Sequence, residues 1–327
     1  MPDPFAQCGV KKNVSLLVTL ADRIGHGNSL SSLMNIVHEL PTTIRVATIF
    51  THLLPKVWFP IPHRQGSHPV DLAAPPRHQR RMKKPDILCI GSVLWDIIGR
   101  ASSHMRAGSD VPGRITRLPG GVAMNIAMTL INFGLTPAVL SAVGRDAEGD
   151  ELVHEAAGLG IITDHLYRSD DLPTDAYMAI EGANGLIAAI ADAHSLEQAG
   201  TKILRALSDG TLGTDVAPWS GLVALDGNLT RDLLANIAKS PLFAASDLRV
   251  APASPGKAER LLALVGHPSA TLYVNLEEAG LLCQTTFDTA ADGAAALSKR
   301  GVHRVLVTDG GKLAAECLDG DICTAQP

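Results

Sequence analysis

Residues 118–134 read LPGGVAMNIAMTLINFG and decide the fold, because they place two glycines directly before a helix that has almost no polar face. Gly120 and Gly121 lack a Cβ atom, so the backbone can approach a ligand closely and adopt turn geometries that other residues avoid. Apolar residues at helical spacing then fill most of the circumference, which predicts a largely buried helix. Gly134 is expected to end it.

The polar stripe on this predicted helix consists of Asn125, Thr129 and Asn132. It is either the solvent-exposed face of the helix or, together with the two glycines, part of a ligand site. A double glycine before a helix is weak evidence by itself. Asp96 strengthens the second interpretation, because it follows the first apolar run and a carboxylate can accept hydrogen bonds from two neighbouring hydroxyls, as recognition of a sugar diol requires.

The composition limits the class of protein. The 327 residues are 46% hydrophobic and 19% charged, and the formal charge of -5 provides no general attraction to nucleic acid or to an anionic membrane. No run reaches the roughly 18 apolar residues that a membrane-spanning helix needs. Five cysteines without C-x-x-C spacing predict neither a disulfide framework nor a zinc site. We therefore expect a cytoplasmic protein that acts on a small molecule, with no nucleic-acid or membrane partner.

The chain changes character near residue 82. Residues 1–82 contain nine Lys and Arg against four Asp and Glu, and nine of the twenty prolines, which interrupt any regular period. We interpret this part as a poorly structured N-terminal extension. Two alternatives stay open: a basic arm that binds nucleic acid, and an upstream start codon with Met82 beginning the real domain.

From residue 83 onward, short apolar strands alternate with helical stretches, which is typical of a mainly parallel sheet covered on both faces. The rhythm changes at residues 173–193, where an Asn-Gly turn signal predicts a hairpin. Ligands of such sheets bind beyond the carboxyl ends of the strands. The predicted strands are DILCIG (86–91), PAVLSAVG (137–144), SGLVALDGN (220–228), LRVAPAS (248–254), TLYVN (271–275) and HRVLVTDGG (303–311), with helices at 147–160, 230–239, 256–265 and 287–300.

Seven motifs follow one another in a specific order. They are GSVLWD (91–96), PGGVAMNIA (119–127), VGRDAEG (143–149), PTDAYMAIEGANGLIAAIADA (173–193), DGN (226–228), NLEE (275–278) and VTDGG (307–311). In this order they resemble the ribokinase-like carbohydrate kinases of the phosphofructokinase-B type, and within that family the pattern is most similar to the pseudouridine kinases. The resemblance covers about residues 83–327, and the ordered set is far more specific than any one motif.

This resemblance implies an α/β, three-layer ribokinase-like fold with a small β lid, from about 96–118 and 173–193, that closes over the substrate. It implies ATP-dependent phosphorylation of a sugar or nucleoside hydroxyl, in first place pseudouridine to its 5′-phosphate. ATP and Mg2+ are the implied cofactors, and a monovalent cation is a further candidate. A homodimer formed through the lid is a candidate assembly.

The resemblance also implies two groups of site residues. The residues that match the family's substrate contacts are Asp96, Gly120, Gly121 and Asn125. The residues that match its nucleotide and phosphate contacts are Asn275, Glu278, Thr308 and Gly310. Within the second group, the Asn-x-x-Glu motif implies that Glu278 organises magnesium indirectly, through water.

The sequence departs from the family pattern in three ways. Leu94 stands where ribokinase relatives place a sugar-binding asparagine, and Met124 stands where pseudouridine kinases commonly show arginine, so the substrate stays open. The family's Gly-Ala-Gly-Asp loop, whose aspartate is the general base, does not occur before the chain ends at Pro327. No catalytic residue is therefore assigned, and we expect a C-terminally truncated copy with impaired catalysis, whether the truncation is biological or an artefact of the gene prediction.

Two alternatives belong to other functional classes. A non-catalytic sugar or nucleoside binder would keep Asp96 and Asn125 without the general base. A Rossmann-type dinucleotide enzyme would share the β-Gly-Gly-α start, but GSVLWD follows the first strand in place of G-x-G-x-x-G.

Overall fold

The computed structural model describes residues 84–106 and 108–326. The extension predicted at 1–82, with its two alternatives, lies outside the described residues. The strands are β1 Ile87–Ile90, β2 Leu94–Arg100, β3 Arg114–Gly120, β4 Pro137–Leu140, β5 Ala142–Gly144, β6 Tyr167–Ser169, β7 Ala176–Gly182, β8 Gly185–Asp192, β9 Leu222–Asp226, β10 Asp247–Ala251, β11 Ala270–Asn275, β12 Arg304–Thr308, β13 Ala314–Leu318 and β14 Asp321–Ala325. The α-helices are α1 Val122–Asn132, α2 Ala147–Gly158, α3 His194–Ala199, α4 Arg231–Lys239, α5 Leu276–Cys283 and α6 Ala290–Lys299, and 3-10 helices span Gly200–Leu207, Pro241–Phe243 and Pro255–Leu264.

The large sheet has eight strands in the order β14-β13-β12-β11-β10-β9-β1-β4. The six strands from β12 to β4 are parallel, and β13 and β14 are antiparallel. The central strands β1 and β9 are buried along their whole length, as expected for parallel strands with helices on both faces. The prediction of a mainly parallel α/β sheet is confirmed.

Side chains alternate between the two faces of this sheet, and each face has its own hydrophobic core. Leu88 and Ile90 of β1 point into the larger core, which includes apolar residues of α4, α5 and α6. Ile87 and Cys89 point into the second core, which includes residues of α1 and α2. The helices therefore form one layer on each side of the sheet.

Helix α1 is as buried as the sequence predicts. Its buried residues are Ala123, Met124, Ile126, Ala127 and Leu130. Gly134 follows the helix with φ +78° and donates its N–H to the carbonyl of Ile131 at 2.9 Å, which confirms it as the terminating residue.

A second, separate sheet has four strands in the order β3-β2-β7-β8. It contains most of the segments 96–118 and 173–193 that were predicted as a lid. β7 and β8 form the predicted hairpin, with Ala183 and Asn184 at the turn. β2 lies between β3, to which it is antiparallel, and β7, to which it is parallel. Four chain connections join this small sheet to the rest of the protein.

Two predicted elements differ in the structure. The stretch 137–144 is divided at Ser141 into β4, in the large sheet, and β5, which pairs with β6. The chain leaves the large sheet there because the Ser141 carbonyl accepts the N–H of Tyr167 instead of continuing beside β1. The helix expected at 256–265 is a 3-10 helix that begins at Pro255. Across residues 84–106 and 108–326, no helix combines the length and the apolar character needed to cross a membrane.

Candidate functional site

The Asp96 carboxylate lies directly against the backbone of Gly120. A Cβ atom added at Gly120 would be 2.0 Å from Asp96 Oδ2, so a larger residue would force this carboxylate to move. Asp96 is half-buried, and burial raises its pKa from 3.8 to about 6. Within the described part of the chain, no hydrogen bond or ion pair involves its carboxylate. An accessible carboxylate without a protein partner is suited to accept hydrogen bonds from a ligand.

Gly121 precedes α1 and Asn125 lies in the first turn of that helix. Gly121 has φ +92°, and a Cβ atom there would be 2.5 Å from the carbonyl oxygen of Ser92. Asn125 donates its backbone N–H to the Gly121 carbonyl at 2.8 Å. Its side chain leans toward the helix N-terminus, because Cα–Cβ bonds tilt that way in α-helices. The structure thus brings Asp96, Gly120 and Gly121 together and places Asn125 on the adjoining turn.

Tyr177 is a residue of this region that the sequence analysis missed. In the small sheet Asp96 is paired with Leu118 on one side and with Tyr177 on the other, so the three side chains share a face. Burial raises the pKa of the Tyr177 phenol, and the negative charges of Asp96 and Glu181 raise it further. Asp96 and Tyr177 are 81 residues apart in the sequence and meet because β2 pairs with β7. The alternation of apolar and polar residues within a single strand does not predict which strands pair.

A buried polar cluster lies where β1 and β9 end. Asp226, completely buried, accepts hydrogen bonds from the N–H and Oγ of Ser92, at 2.7 and 2.5 Å, and from the N–H of Asn228 at 2.7 Å. Burial raises the pKa of Asp226, although these hydrogen bonds oppose the effect. Lys257 Nζ donates to Asn228 Oδ1 at 2.7 Å and brings a positive charge to the same edge. Asp226 and Asn228 belong to the DGN motif of the sequence analysis, but no feature of the sequence predicted that they contact Ser92.

The second predicted group lies at the ends of β11 and β12. Asn275 and Thr308 are paired across these two strands. Asn275 Oδ1 accepts the N–H of Glu278 at 2.8 Å, and Glu278 Oε2 accepts the N–H of Asn275 at 2.9 Å. This reciprocal capping box starts α5. Glu278 is buried, and burial together with the charge of Glu277 raises its pKa, against the hydrogen bond from Asn275.

Thr308 and Gly310 mark the turn that follows β12. Thr308 is buried as the last residue of the strand, whereas Gly310 is exposed and has φ +57°. The two groups of predicted residues therefore lie on the same edge of the large sheet. Three strand spacings separate β1 from β11, which corresponds to roughly 14 Å.

Most other carboxylates near this edge are already engaged. Asp226 and Glu278 accept backbone N–H groups as described, Asp175 accepts two N–H groups at 3.0 Å, and Asp309 forms an ion pair with Lys312 at 2.9 Å. The described residues contain no group of three His, Cys, Asp or Glu side chains that could hold a metal ion. Glu278 uses one carboxylate oxygen for the cap, and its other oxygen has no hydrogen-bond partner among the described residues.

A protein-family profile described as pfkB family carbohydrate kinase matches residues 84–317. The pseudouridine kinase of Escherichia coli is 29% identical over 149 residues, which are 42% of this chain and 48% of the relative. The chain aligns with less than half the length of each curated relative that it matches.

Solved structures show the same fold. A carbohydrate kinase from Agrobacterium tumefaciens superposes with a TM-score of 0.61 and 24% identity, covering 75% of this chain and 76% of that one. The Arabidopsis thaliana ribokinase complexed with ribose and ATP superposes with a TM-score of 0.54 and 18% identity, covering 75% and 78%. At this level of identity the likeness concerns the fold.

Proposed function

Because this chain belongs to the pfkB family of carbohydrate kinases, we propose that it binds a sugar or nucleoside beside Asp96 and is part of a kinase that transfers phosphate from ATP to one of its hydroxyls. The observation that carries the proposal is the Asp96 carboxylate, which is half-buried on Gly120 and has no hydrogen-bond or ion-pair partner among the residues that the structure describes. Two adjacent hydroxyls of a ribosyl group would satisfy its two oxygens, and the Asn125 amide would accept or donate one further hydrogen bond.

Pseudouridine is the proposed substrate, with the 5′-hydroxyl as phosphate acceptor. The support is the motif order in the sequence and the similarity to a pseudouridine kinase over 149 residues. Tyr177, on the same face of the small sheet as Asp96, offers an aromatic ring and a phenol to the base or to the sugar. The small sheet would act as the lid, and its closure would exclude water from the transfer.

ATP is proposed to lie across the ends of β11 and β12, beside Asn275, Thr308 and Gly310. The exposed turn at Gly310 offers backbone close to the nucleotide, and the N-terminus of α5 favours negative charge. Glu278 would hold the waters of Mg2+, which when bound neutralises phosphate charge. Lys257 stands between the two groups, where its ammonium can meet a phosphate oxygen. A monovalent cation and a homodimer through the lid are further parts of the proposal.

A non-catalytic sugar or nucleoside binder is the second candidate. It is favoured by one observation: in the described part of the chain, the carboxylates of Asp175, Asp226, Glu278 and Asp309 near the site edge accept backbone N–H groups or form an ion pair. A general base needs a free carboxylate within reach of the substrate hydroxyl.

Calorimetric titration and a coupled assay of ADP formation test the proposal on the full chain. Pseudouridine, ribose and 2′,3′-dideoxyuridine are the probes, since the last lacks the diol. We expect binding of the two diols, no binding of the dideoxynucleoside, and loss of binding in Asp96→Asn. ADP formation that depends on pseudouridine would support the kinase, and binding without turnover would support the second candidate. Equal behaviour of the diols and the dideoxynucleoside would overturn both.

A further inference from the structure

Four connections join the small sheet to the rest of the chain. They form two pairs, and each pair is linked by hydrogen bonds to one buried aspartate. Ser92 precedes β2 and Val122 follows β3, which forms the first pair of connections. Asp175 precedes β7 and Ser195 follows β8, which forms the second pair. The lid proposed above can move only as far as these connections allow.

Asp226 holds the first pair from the end of β9. Its Oδ2 accepts the N–H of Ser92 at 2.7 Å and the Oγ–H of Ser92 at 2.5 Å. The same Ser92 Oγ accepts the N–H of Val122 at 2.8 Å, and the Ser92 carbonyl accepts the N–H of Met124 at 3.2 Å. Gly121 is the N-cap residue of α1 and has no side chain that could cap the helix. Ser92, which is 29 residues earlier in the chain, accepts free N–H groups of the first turn instead.

Two of the four predicted substrate contacts, Asp96 and Asn125, lie at the two ends of this linkage. Asp96 is four residues beyond Ser92 in sequence, on β2, and Asn125 is three residues beyond Val122, on the first turn of α1. Ser92 and Asp226 are buried, and the hydrogen-bonding capacity of the Ser92 hydroxyl is filled by Asp226, Val122 and Asn228. A shift of Ser92 therefore changes the spacing of both contacts together.

We propose that Asp226 is a positioning residue which, through Ser92, fixes the distance between Asp96 and the start of α1, so that one vicinal diol fits between Asp96 and Asn125. The inference rests on the proposed function for the identity of the ligand. The linkage itself is a property of the fold and can be measured without any ligand.

Asp175 provides a matched comparison because it uses the same chemistry on the second pair of connections. It is buried, and its two oxygens accept the N–H groups of Ser195 and Leu196, both at 3.0 Å. Its carbonyl accepts the N–H of Trp95 at 3.2 Å. Loss of the Asp175 charge should weaken the hydrogen bonds that hold the connections of β7 and β8. It should leave the hydrogen bond between Val122 and Ser92 intact.

Three variants separate positioning from general loss of stability. Ser92→Ala removes the hydroxyl and leaves the backbone hydrogen bond to Asp226, so it is the mildest change. Asp226→Asn keeps one acceptor oxygen and turns the other into an NH2 donor, so the side chain can no longer accept from Ser92 and from the N–H of Asn228 at the same time. Asp175→Asn is the comparison. Each variant is studied as the full chain by amide hydrogen exchange and by titration with pseudouridine and, separately, with a non-hydrolysable ATP analogue.

In Ser92→Ala and Asp226→Asn we expect faster amide exchange at Val122 and Met124 and a Kd for pseudouridine about tenfold or more higher. The Kd for the ATP analogue should rise much less, because Asn275, Thr308 and Gly310 lie three strands away and the proposed link between the two groups is Lys257, through Asn228. In Asp175→Asn, exchange should accelerate at Ser195 and Leu196 instead.

Unchanged exchange at Val122 and Met124 would overturn the proposal, and so would an equal rise of both dissociation constants. If the unsubstituted chain binds no pseudouridine, the proposed function fails. The exchange rates then still decide the linkage: acceleration confined to Val122 and Met124 supports it, and uniform or absent acceleration overturns it.

Discussion

At the scale of one residue, Asp96 differs from the other carboxylates buried near it, and this difference is what supports its proposed role in binding. Its carboxylate is packed against Gly120 and loses much of its hydration, which raises its pKa to about 6. A structural carboxylate in such a place would be stabilised by N–H groups, as Asp226 and Asp175 are. Asp96 has no such partner among the described residues, so its charge is expected to cost stability in the unliganded protein, which is the pattern expected of a proposed ligand-binding residue.

The pKa of Asp96 predicts a pH dependence of substrate affinity. Only the ionised carboxylate accepts hydrogen bonds from two hydroxyls with both of its oxygens, and in the free protein it becomes protonated as the pH falls through about 6. We expect the Kd for pseudouridine to be constant above pH 7 and to rise by up to about tenfold per unit below pH 6. Titration calorimetry between pH 5 and pH 8 measures it, and a pH-independent Kd would show that Asp96 does not bind the diol.

The same pKa predicts that Asp96→Asn stabilises the fold at neutral pH. The folded pKa lies above the unfolded value of 3.8, so the favourable contribution of this group is present below pH 4 and is lost as the pH rises through about 6. With allowance for its partial exposure to water, we expect Asp96→Asn to raise the free energy of unfolding by on the order of 1–2 kcal/mol at pH 8 and by nothing measurable at pH 4.

Denaturant unfolding at the two pH values checks this expectation. Asp215→Asn, at an exposed position, is the control and should change neither value. A variant that is less stable than the unsubstituted chain at pH 8 would mean that the Asp96 charge is satisfied in the fold.

Site residues that lie close together in the sequence can be predicted from it. Site residues that come into contact only because distant strands pair cannot. Gly120, Gly121 and Asn125 lie within six residues, so their pattern is visible in one stretch. Asp226 and Ser92 are 134 residues apart, and only the strand order of the large sheet brings them together. Each lies in one of the ordered motifs, but neither motif indicates that the two residues are in contact.

At the scale of elements, the start of α5 combines a structural and a proposed functional role in the same two residues. The capping box of Asn275 and Glu278 satisfies two N–H groups at the helix start. A capping box alone explains an Asn-x-x-Glu pattern, so the motif does not distinguish a helix cap from a site for phosphate and magnesium. Variants of Glu278 can separate these two roles.

Glu278→Gln should preserve the fold and impair nucleotide binding. A glutamine Oε1 can still accept the N–H of Asn275, so we expect a change in unfolding free energy within about 0.5 kcal/mol, whereas Glu278→Ala should lose about 1 kcal/mol. If Glu278 organises Mg2+, the glutamine variant should also lose the strengthening of ATP-analogue binding by Mg2+. Thr289→Ala, which removes the cap of α6, should lower stability by a similar amount without changing nucleotide affinity. If Mg2+ still strengthens ATP-analogue binding in Glu278→Gln, then Glu278 serves only as a helix cap.

Elements with a strong hydrophobic pattern were predictable, and those set by tertiary contacts were not. The parallel strands from β9 to β12 and the hairpin β7–β8 occur where apolar runs and the Asn-Gly signal predict them. The division of 137–144 at Ser141 was not predictable, because it depends on the N–H of Tyr167 from a later segment. The order of β3, β2, β7 and β8 likewise depends on pairing between distant segments.

At the scale of the whole molecule, the parallel sheet explains why two separate groups of residues can serve one reaction. The groups at β1 and β11 are far apart in sequence, yet every parallel strand delivers its carboxyl end to the same edge. The strands β1 and β11 are three strand spacings apart, roughly 14 Å, which would leave room for a substrate and a nucleotide. Lys257, which contacts Asn228 beyond β9, is the cation that we propose contacts the transferred phosphate.

The outer face of the small sheet carries a large exposed apolar surface. The side chains of Ile115, Met178 and Ile190 are 76%, 47% and 70% exposed, and the strand register places them on the face opposite to Asp96 and Tyr177. Monomeric proteins rarely expose contiguous apolar patches of this kind. A two-fold axis through the patch would bring it against the same patch of a second copy, which closes the assembly as a dimer.

We therefore expect a dimer in solution that Ile190→Lys dissociates. The lysine would place an uncompensated charge in the apolar contact, which should weaken association by about a hundredfold or more. Sedimentation velocity across a range of concentrations measures it. Val216→Lys, at a position 94% exposed outside the small sheet, is the control and should stay dimeric. A monomeric unsubstituted chain, or a dimer that persists in Ile190→Lys, would assign the patch to another role, because the lid face would then not be the surface through which two copies meet.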